Sequence, residues 1–143
     1  MLLVDEAQWL KNSLLEELRL LLNFETEEEK LLQIVLFGQP ELKQRVDAMP
    51  QIRQRIGIRC HLGPLSKEES FEYVKHRLKV AGAKRGIFTK GALERLYEYS
   101  GGIPRLINII AQNALFVAWG MGLSSVSASV VRDVAEDLEL GGG

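Results

Sequence analysis

The apolar residues of this chain change their period at Gly63-Pro64, and that change limits its fold more than any other feature. Ahead of it, Leu2-Leu3-Val4 is a short, wholly apolar run ending in Asp5-Glu6, which suits a strand buried on both faces with its carboxyl end at a site. Ser13-x-x-Glu16 reads as a capping box, followed by Leu14, Leu15, Leu18, Leu21 and Leu22 at helical spacing. Glu25 to Lys30 is an acidic loop, and Leu32 to Phe37 is a second β-rich run stopped by Gly38 and Pro40. Pro40 suits the first turn of a helix that continues to Met49. Ile56, Ile58, Cys60 and Leu62 then alternate as in a third strand. Strand and helix in alternation predict a parallel α/β layer of three strands over residues 1–63.

Beyond Pro64 the period is helical throughout. Ser66-x-x-Glu69 is a second capping box, with Phe71, Val74, Leu78 and Ala81 on one face. Thr89 caps a helix carrying Leu93, Leu96 and Tyr97 inward, Gly101-Gly102 end it, Pro104 opens the next, and Ser127 caps a last helix through Leu138. The expectation is an all-α four-helix unit over 64–140 and a glycine tail at 141–143.

With 143 residues, 46% of them hydrophobic and 26% charged, the chain has ordinary globular composition, which excludes global disorder. Its formal charge of −1 supplies no net positive field, so any contact with nucleic acid or anionic lipid must be local. Cys60 stands alone, which forbids an internal disulfide and fits a reducing, cytoplasmic compartment. Met1 to Val4 lack a basic n-region and reach acids at once, so they are not read as a signal peptide. Ile103 to Leu123 is the longest apolar stretch, but Arg105, Asn108, Gln112 and Asn113 interrupt it, which favours a core helix over a transmembrane segment.

Four groups could carry chemistry. Asp5 and Glu6 follow a strand at the edge where open α/β sheets bind ligands. There, one carboxylate can hold Mg²⁺ through water and a second can orient an attacking water; the plain alternative is an acidic turn. Gln39, in Gly38-Gln39-Pro40, would set an uncharged amide beside the same edge, or mark no more than a turn. Arg53 and Arg55 could project a guanidinium toward phosphate on a neighbouring subunit, with Arg59 a weaker candidate; otherwise they are a solvated helix end. Arg105, just inside a helix opened by Gly101-Gly102-Ile103-Pro104, is electrostatically unfavourable unless an anion or acid offsets it. His61 and His76 lack metal-ligand companions, and Trp9 and Trp119 read as packing or interface residues.

In order, VDEAQ, LLNFET, VLFGQPEL, IRQRI, HLGPLSKEE and SGGIPRLIN resemble the AAA+ ATPases of the general secretion pathway protein A family and related pilus-biogenesis ATPases. The resemblance runs from Leu2 to Leu138 and implies part of a P-loop α/β core over 1–63 followed by a helical lid over 64–140. By motif, Asp5 and Glu6 look like Walker B, Gln39 lies where sensor 1 is expected, Arg55 is similar to an arginine finger, and Arg105 looks like sensor 2. The implied cofactors are ATP and Mg²⁺, with Asp5 on the metal through water and Gln39 and Arg105 on the nucleotide. The implied partners are further copies of the chain and envelope secretion or pilus assembly proteins. The implied location is the cytoplasm, at the inner face of the inner membrane through regions outside this chain.

No G-x-x-x-x-G-K-[ST] occurs in these residues, so the expectation is that they bind no nucleotide and do not hydrolyse ATP by themselves. The family's sheet order also places an absent strand between the second and third strands seen here, so the α/β half is rearranged, swapped with another copy, or less ordered than the lid. One alternative is a DNA-binding AAA+ ATPase of transposition-helper or initiator type, touching phosphates through Lys75, His76, Arg77, Lys79, Lys84 and Arg85. Glu68, Glu69 and Glu72 partly balance that cluster, which makes nucleic acid the weaker reading. A second alternative is an interaction module independent of ATP.

Overall fold

Leu2–Val4 (β1) and Ile34–Leu36 (β2) pair in parallel, with Leu2 opposite Ile34 and Val4 opposite Leu36. Parallel neighbours need a long crossover, and Asn12–Leu21 (α1) lies within it. The ladder runs on past both strands, because Phe37 N–H donates to Val4 O and Ala7 N–H to Phe37 O, each at 2.8 Å. The computed structural model describes residues 1–22 and 32–138, divided between two units, Met1–His61 and Leu62–Gly143. The acidic segment Glu25 to Lys30 and the tail at 141–143 lie outside the described residues.

In the first unit, Pro40–Asp47 (α2) begins at the proline, and Pro50–Arg53 (α3) follows after a break at Ala48-Met49. The second helix therefore stops short of Met49. Leu15, Val46 and Ile52 are buried together, with Leu36, Leu42 and Ile56 packed against them. Arg45 of α2 ties this unit to its first loop by donating to the carbonyls of Gln8 and Leu10 and, at 2.6 Å, to Asn12 Oδ1.

Three expectations for this unit need correction. β1 is not buried on both faces: Leu3 is 57% exposed, because nothing described here packs on that side of the two-stranded sheet. Ile56 to Leu62 form no strand, and Ile58 and Leu62 are 90% and 85% exposed. A strand needs a ladder partner, and none pairs with this segment among the described residues. Ser13 is not a cap: α1 starts at Asn12 after Lys11, so Ser13 already lies inside the first turn.

The second unit is four helices, Lys67–Val80 (α4), Lys90–Ser100 (α5), Pro104–Gly120 (α6) and Ala128–Asp137 (α7). Its helix signals are realised in detail. Ser66 Oγ accepts from Glu69 N–H at 3.2 Å while Glu69 Oε2 accepts from Ser66 N–H at 2.8 Å, closing the reciprocal box. Those bonds hold the Glu69 carboxyl below its ordinary pKa, the Ser66 backbone N–H contributing most. Thr89 and Ser127 accept from Ala92 and Val130 N–H in the same manner.

Gly102 is needed where it stands. Its φ is +76°, and a Cβ there would lie 2.0 Å from the carbonyl oxygen of Leu65, whose own N–H donates to Gly102 O at 2.9 Å. The core joins Val74 of α4, Leu96 of α5, Ile107, Ile110 and Ala114 of α6, and Val131 and Val134 of α7. Tyr73 and Asn108 add a hydrogen bond between α4 and α6. The apolar stretch from Ile103 forms α6, and no described helix is long and apolar enough to cross a membrane.

Candidate functional site

The parallel pairing brings two chain segments to one edge of the sheet. Asp5 and Glu6 leave β1 where Gly38 and Gln39 leave β2. Glu6 adopts φ 52°, the left-handed region, which costs a non-glycine residue about 1–2 kcal/mol. Such strain is retained where the surrounding structure fixes it, and this turn has two such ties. Glu6 N–H donates to Asp5 Oδ1 at 2.8 Å, and Ala7, fully buried, is bonded to Phe37 O.

Gln8 joins the two segments. Its Nε2 donates to Glu6 Oε2, and its Oε1 accepts from Gln39 N–H at 3.1 Å. An amide is suited to this because one end donates and the other accepts. Gly38 makes room for it: a Cβ at that position would lie 2.8 Å from Gln8 Oε1 and 2.8 Å from Leu42 Cδ2. Gln39 precedes Pro40 as the N-cap of α2, yet its side chain does not cap that helix and so stays available at the edge. Sequence reasoning missed Gln8 and Arg45. Gln8 stands in the VDEAQ run, but nothing local says that its amide would meet Gln39, thirty-one positions away.

The arginines stand on other elements. Arg55 lies just past the end of α3 and is exposed. Arg59 is paired with Asp47 at 2.7 Å, and that bond holds the Asp47 carboxyl below its ordinary pKa. Arg105 is the second residue of α6 in the other unit, exposed, with no ion-pair partner among the described residues. An incoming anion would therefore meet no competing carboxylate pair there.

No described group of three or more His, Cys, Asp and Glu could hold a metal. Asp5 and Glu6 fit the other way of holding Mg²⁺, in which one carboxylate and the substrate's phosphates share the ion with water. Trp9 and Trp119 are 80% and 81% exposed, which rules out their reading as packing residues.

The chain is similar to known proteins over most of its length. The AAA domain family model covers residues 1–46. General secretion pathway protein A of Aeromonas hydrophila is 55% identical over 122 residues, 84% of this chain and 22% of that protein. An uncharacterized HTH-type transcriptional regulator of Methanocaldococcus jannaschii is 32% identical, over 96% of this chain and 34% of that protein. A Thermotoga maritima RuvB mutant superposes with a TM-score of 0.69 at 18% identity, covering 96% of this chain and 44% of that one. The chain thus spans about a fifth to a third of these sequence relatives. With its mixed α/β first unit and helical second unit, it belongs to the AAA+ proteins, among the relatives of general secretion pathway protein A.

Proposed function

We propose that these residues are part of an AAA+ ATPase that couples ATP binding and hydrolysis to assembly of a type II secretion or pilus apparatus. The observation that carries this reading is the sheet edge, where Gln8 bonds both the Glu6 carboxylate and the Gln39 backbone N–H and Asp5 accepts from the Glu6 N–H. Asp5 has Oδ1 engaged by the Glu6 amide, which orients the carboxylate and leaves Oδ2 to hold Mg²⁺ through water. Glu6 orients the attacking water, and Gln8 fixes the Glu6 carboxylate as a positioning residue. Gln39 reports on the γ-phosphate. When bound, Mg²⁺-ATP supplies the phosphoryl group that is transferred to water.

In this reading residues 1–63 are the carboxyl-terminal part of the nucleotide-binding core and 64–140 are its lid. Arg55 acts as a finger on nucleotide in the next subunit of a homo-oligomer, and Arg105 is the lid's contact to nucleotide. The partners are envelope secretion or pilus assembly proteins, met on the cytoplasmic side. The 143 residues carry no glycine-rich loop ending in Lys-Ser or Lys-Thr, hence no cradle for the β- and γ-phosphates, and alone they do not turn over ATP.

ATP turnover by this chain, alone and extended at its amino end by a strand and such a loop, is the test. Turnover only in the extended protein supports the reading. Turnover that survives Glu6→Gln overturns the assignment. The archaeal relative named as a transcriptional regulator favours DNA as the runner-up partner. That version requires salt-dependent DNA binding lost on Arg77→Ala and Lys79→Ala; Arg77 is shared with Tyr73 and Lys75 with Glu72, which leaves fewer cations free for phosphate. An ATP-independent interaction module would bind its partners equally well with Asp5 and Glu6 neutralised.

A further inference from the structure

Helices α4 and α6 stop in the same way, and their two ends frame a groove. In α4, Gly82 (φ 91°) donates to Lys79 O and Ala83 to Leu78 O; in α6, Gly122 (φ 66°) donates to Trp119 O and Leu123 to Ala118 O. Both are paired 5→2 and 6→1 bonds, so the turn after each helix is fixed. The segments that follow are pinned to each other, since Val126 N–H donates to Ile87 O at 2.8 Å and Thr89 N–H to Val126 O at 3.0 Å. Arg85 also reaches Ser124 O at 3.4 Å. The groove has a volume of about 450 Å³, within the size of ligand-binding clefts, and it is built from backbone-fixed walls.

Its floor is aliphatic, from Ala83, Ile87, Leu115, Ala118 and Leu123, and Lys84, Arg85 and the exposed Trp119 stand around it. Among the described residues no carboxylate lines it. The sequence extends that asymmetry: from Tyr73 to Leu93 there are Lys75, Arg77, Lys79, Lys84, Arg85 and Lys90 and no acid, and from Tyr99 to Arg132 there is again no acid. The carbonyl ends of two helices contribute about half a negative charge each, so the two groove cations leave roughly one positive charge in excess.

We propose that this groove docks an acidic amphipathic segment of a partner protein, with an apolar side chain on the aliphatic floor and carboxylates at Lys84 and Arg85. The floor decides between this and nucleic acid. A strand of nucleic acid needs a polar track that follows its phosphates, with bases stacked on aromatic faces. Here one aromatic residue and two cations surround a patch suited to a leucine or phenylalanine anchor, the pattern of helix-in-groove recognition.

The test uses the full 143-residue chain and a fluorescein-labelled peptide of about 15 residues, leucines on one helical face and glutamates elsewhere, read by anisotropy. Saturable binding is expected, weakening as salt is raised and falling about tenfold in Lys84→Glu with Arg85→Glu. Trp119→Ala is expected to weaken it as well, and the same peptide with lysines for glutamates is expected not to bind. These side chains lie at the surface, so unchanged helical circular dichroism is expected; Arg85→Gln provides a milder variant should the double reversal disturb folding. Absence of saturable binding, or affinity unchanged in the variants, overturns the proposal. So does competition by an oligo-dT strand for the same residues, or a self-association that Trp119→Ala abolishes.

Discussion

The two units of this chain differ in how their apolar residues pack and in where the backbone is strained. The helical unit buries residues from all four of its helices in one cluster, and each helix has its caps or turns in place. The first unit buries Leu15, Val46 and Ile52 beside a two-stranded sheet on whose other face Leu3 and Val35 are exposed among the described residues, yet it holds the strained Glu6 and the network from Glu6 through Gln8 to Gln39. A site of this kind needs edges and unsatisfied groups, whereas a stable core needs neither. The difference separates a unit closed by its own packing from one that carries the candidate site.

The largest expected effect tests the chemical side. In a chain extended by a P-loop, Glu6→Gln is expected to lower turnover by at least about a hundredfold, the scale of a lost general base, with the melting of both units unchanged. A loss of turnover that tracks a loss of structure would break the division. Gly38→Ala is expected to displace Gln8 through its Oε1 contact and to lower turnover less, leaving the helical unit untouched.

Next comes the packing side. Ile107 is fully buried in α6, and Ile107→Ala should cost about 2–5 kcal/mol, read as a shift in the denaturation midpoint of the helical unit. Native-state hydrogen exchange sharpens the comparison: amides of α5, α6 and α7 should exchange more slowly than those of β1 and β2. Equal protection in β1 would show that the first unit is closed by something not seen in its own packing.

Smaller still is Ser66→Ala, which should cost about 1 kcal/mol by removing one arm of the capping box. The smallest effect is on pH. Folding lowers the pKa of Glu69, so its contribution is fully present above the pKa of the unfolded chain and disappears as pH falls through the folded value. The stability gap between the protein and Glu69→Gln should therefore close on acidification below about pH 4. A gap that is constant from neutral to acid pH would contradict the box.

Most of the helical unit was legible because its signals are local. Ser66, Thr89 and Ser127 each bond an amide three residues on, and the Gly101-Gly102 turn and Pro104 act within a few residues of themselves. The α/β half was legible in its strands and in Pro40, but less so elsewhere. Ile56 to Leu62 have the period of a strand without being one, since alternation records a preference and pairing requires a neighbour. Ser13-x-x-Glu16 has the letters of a box two residues out of place.

The sequence by itself determined where helices start and stop, where the period changes and which acids follow the first strand, all of which depend on residues close along the chain. Only the tertiary structure decided that the Glu6 carboxylate and the Gln39 backbone N–H share Gln8, that Arg45 clamps the first loop, and that the ends of α4 and α6 frame a basic, apolar groove. Those features join residues about thirty to forty positions apart, and such contacts are fixed by packing and pairing rather than by local preference.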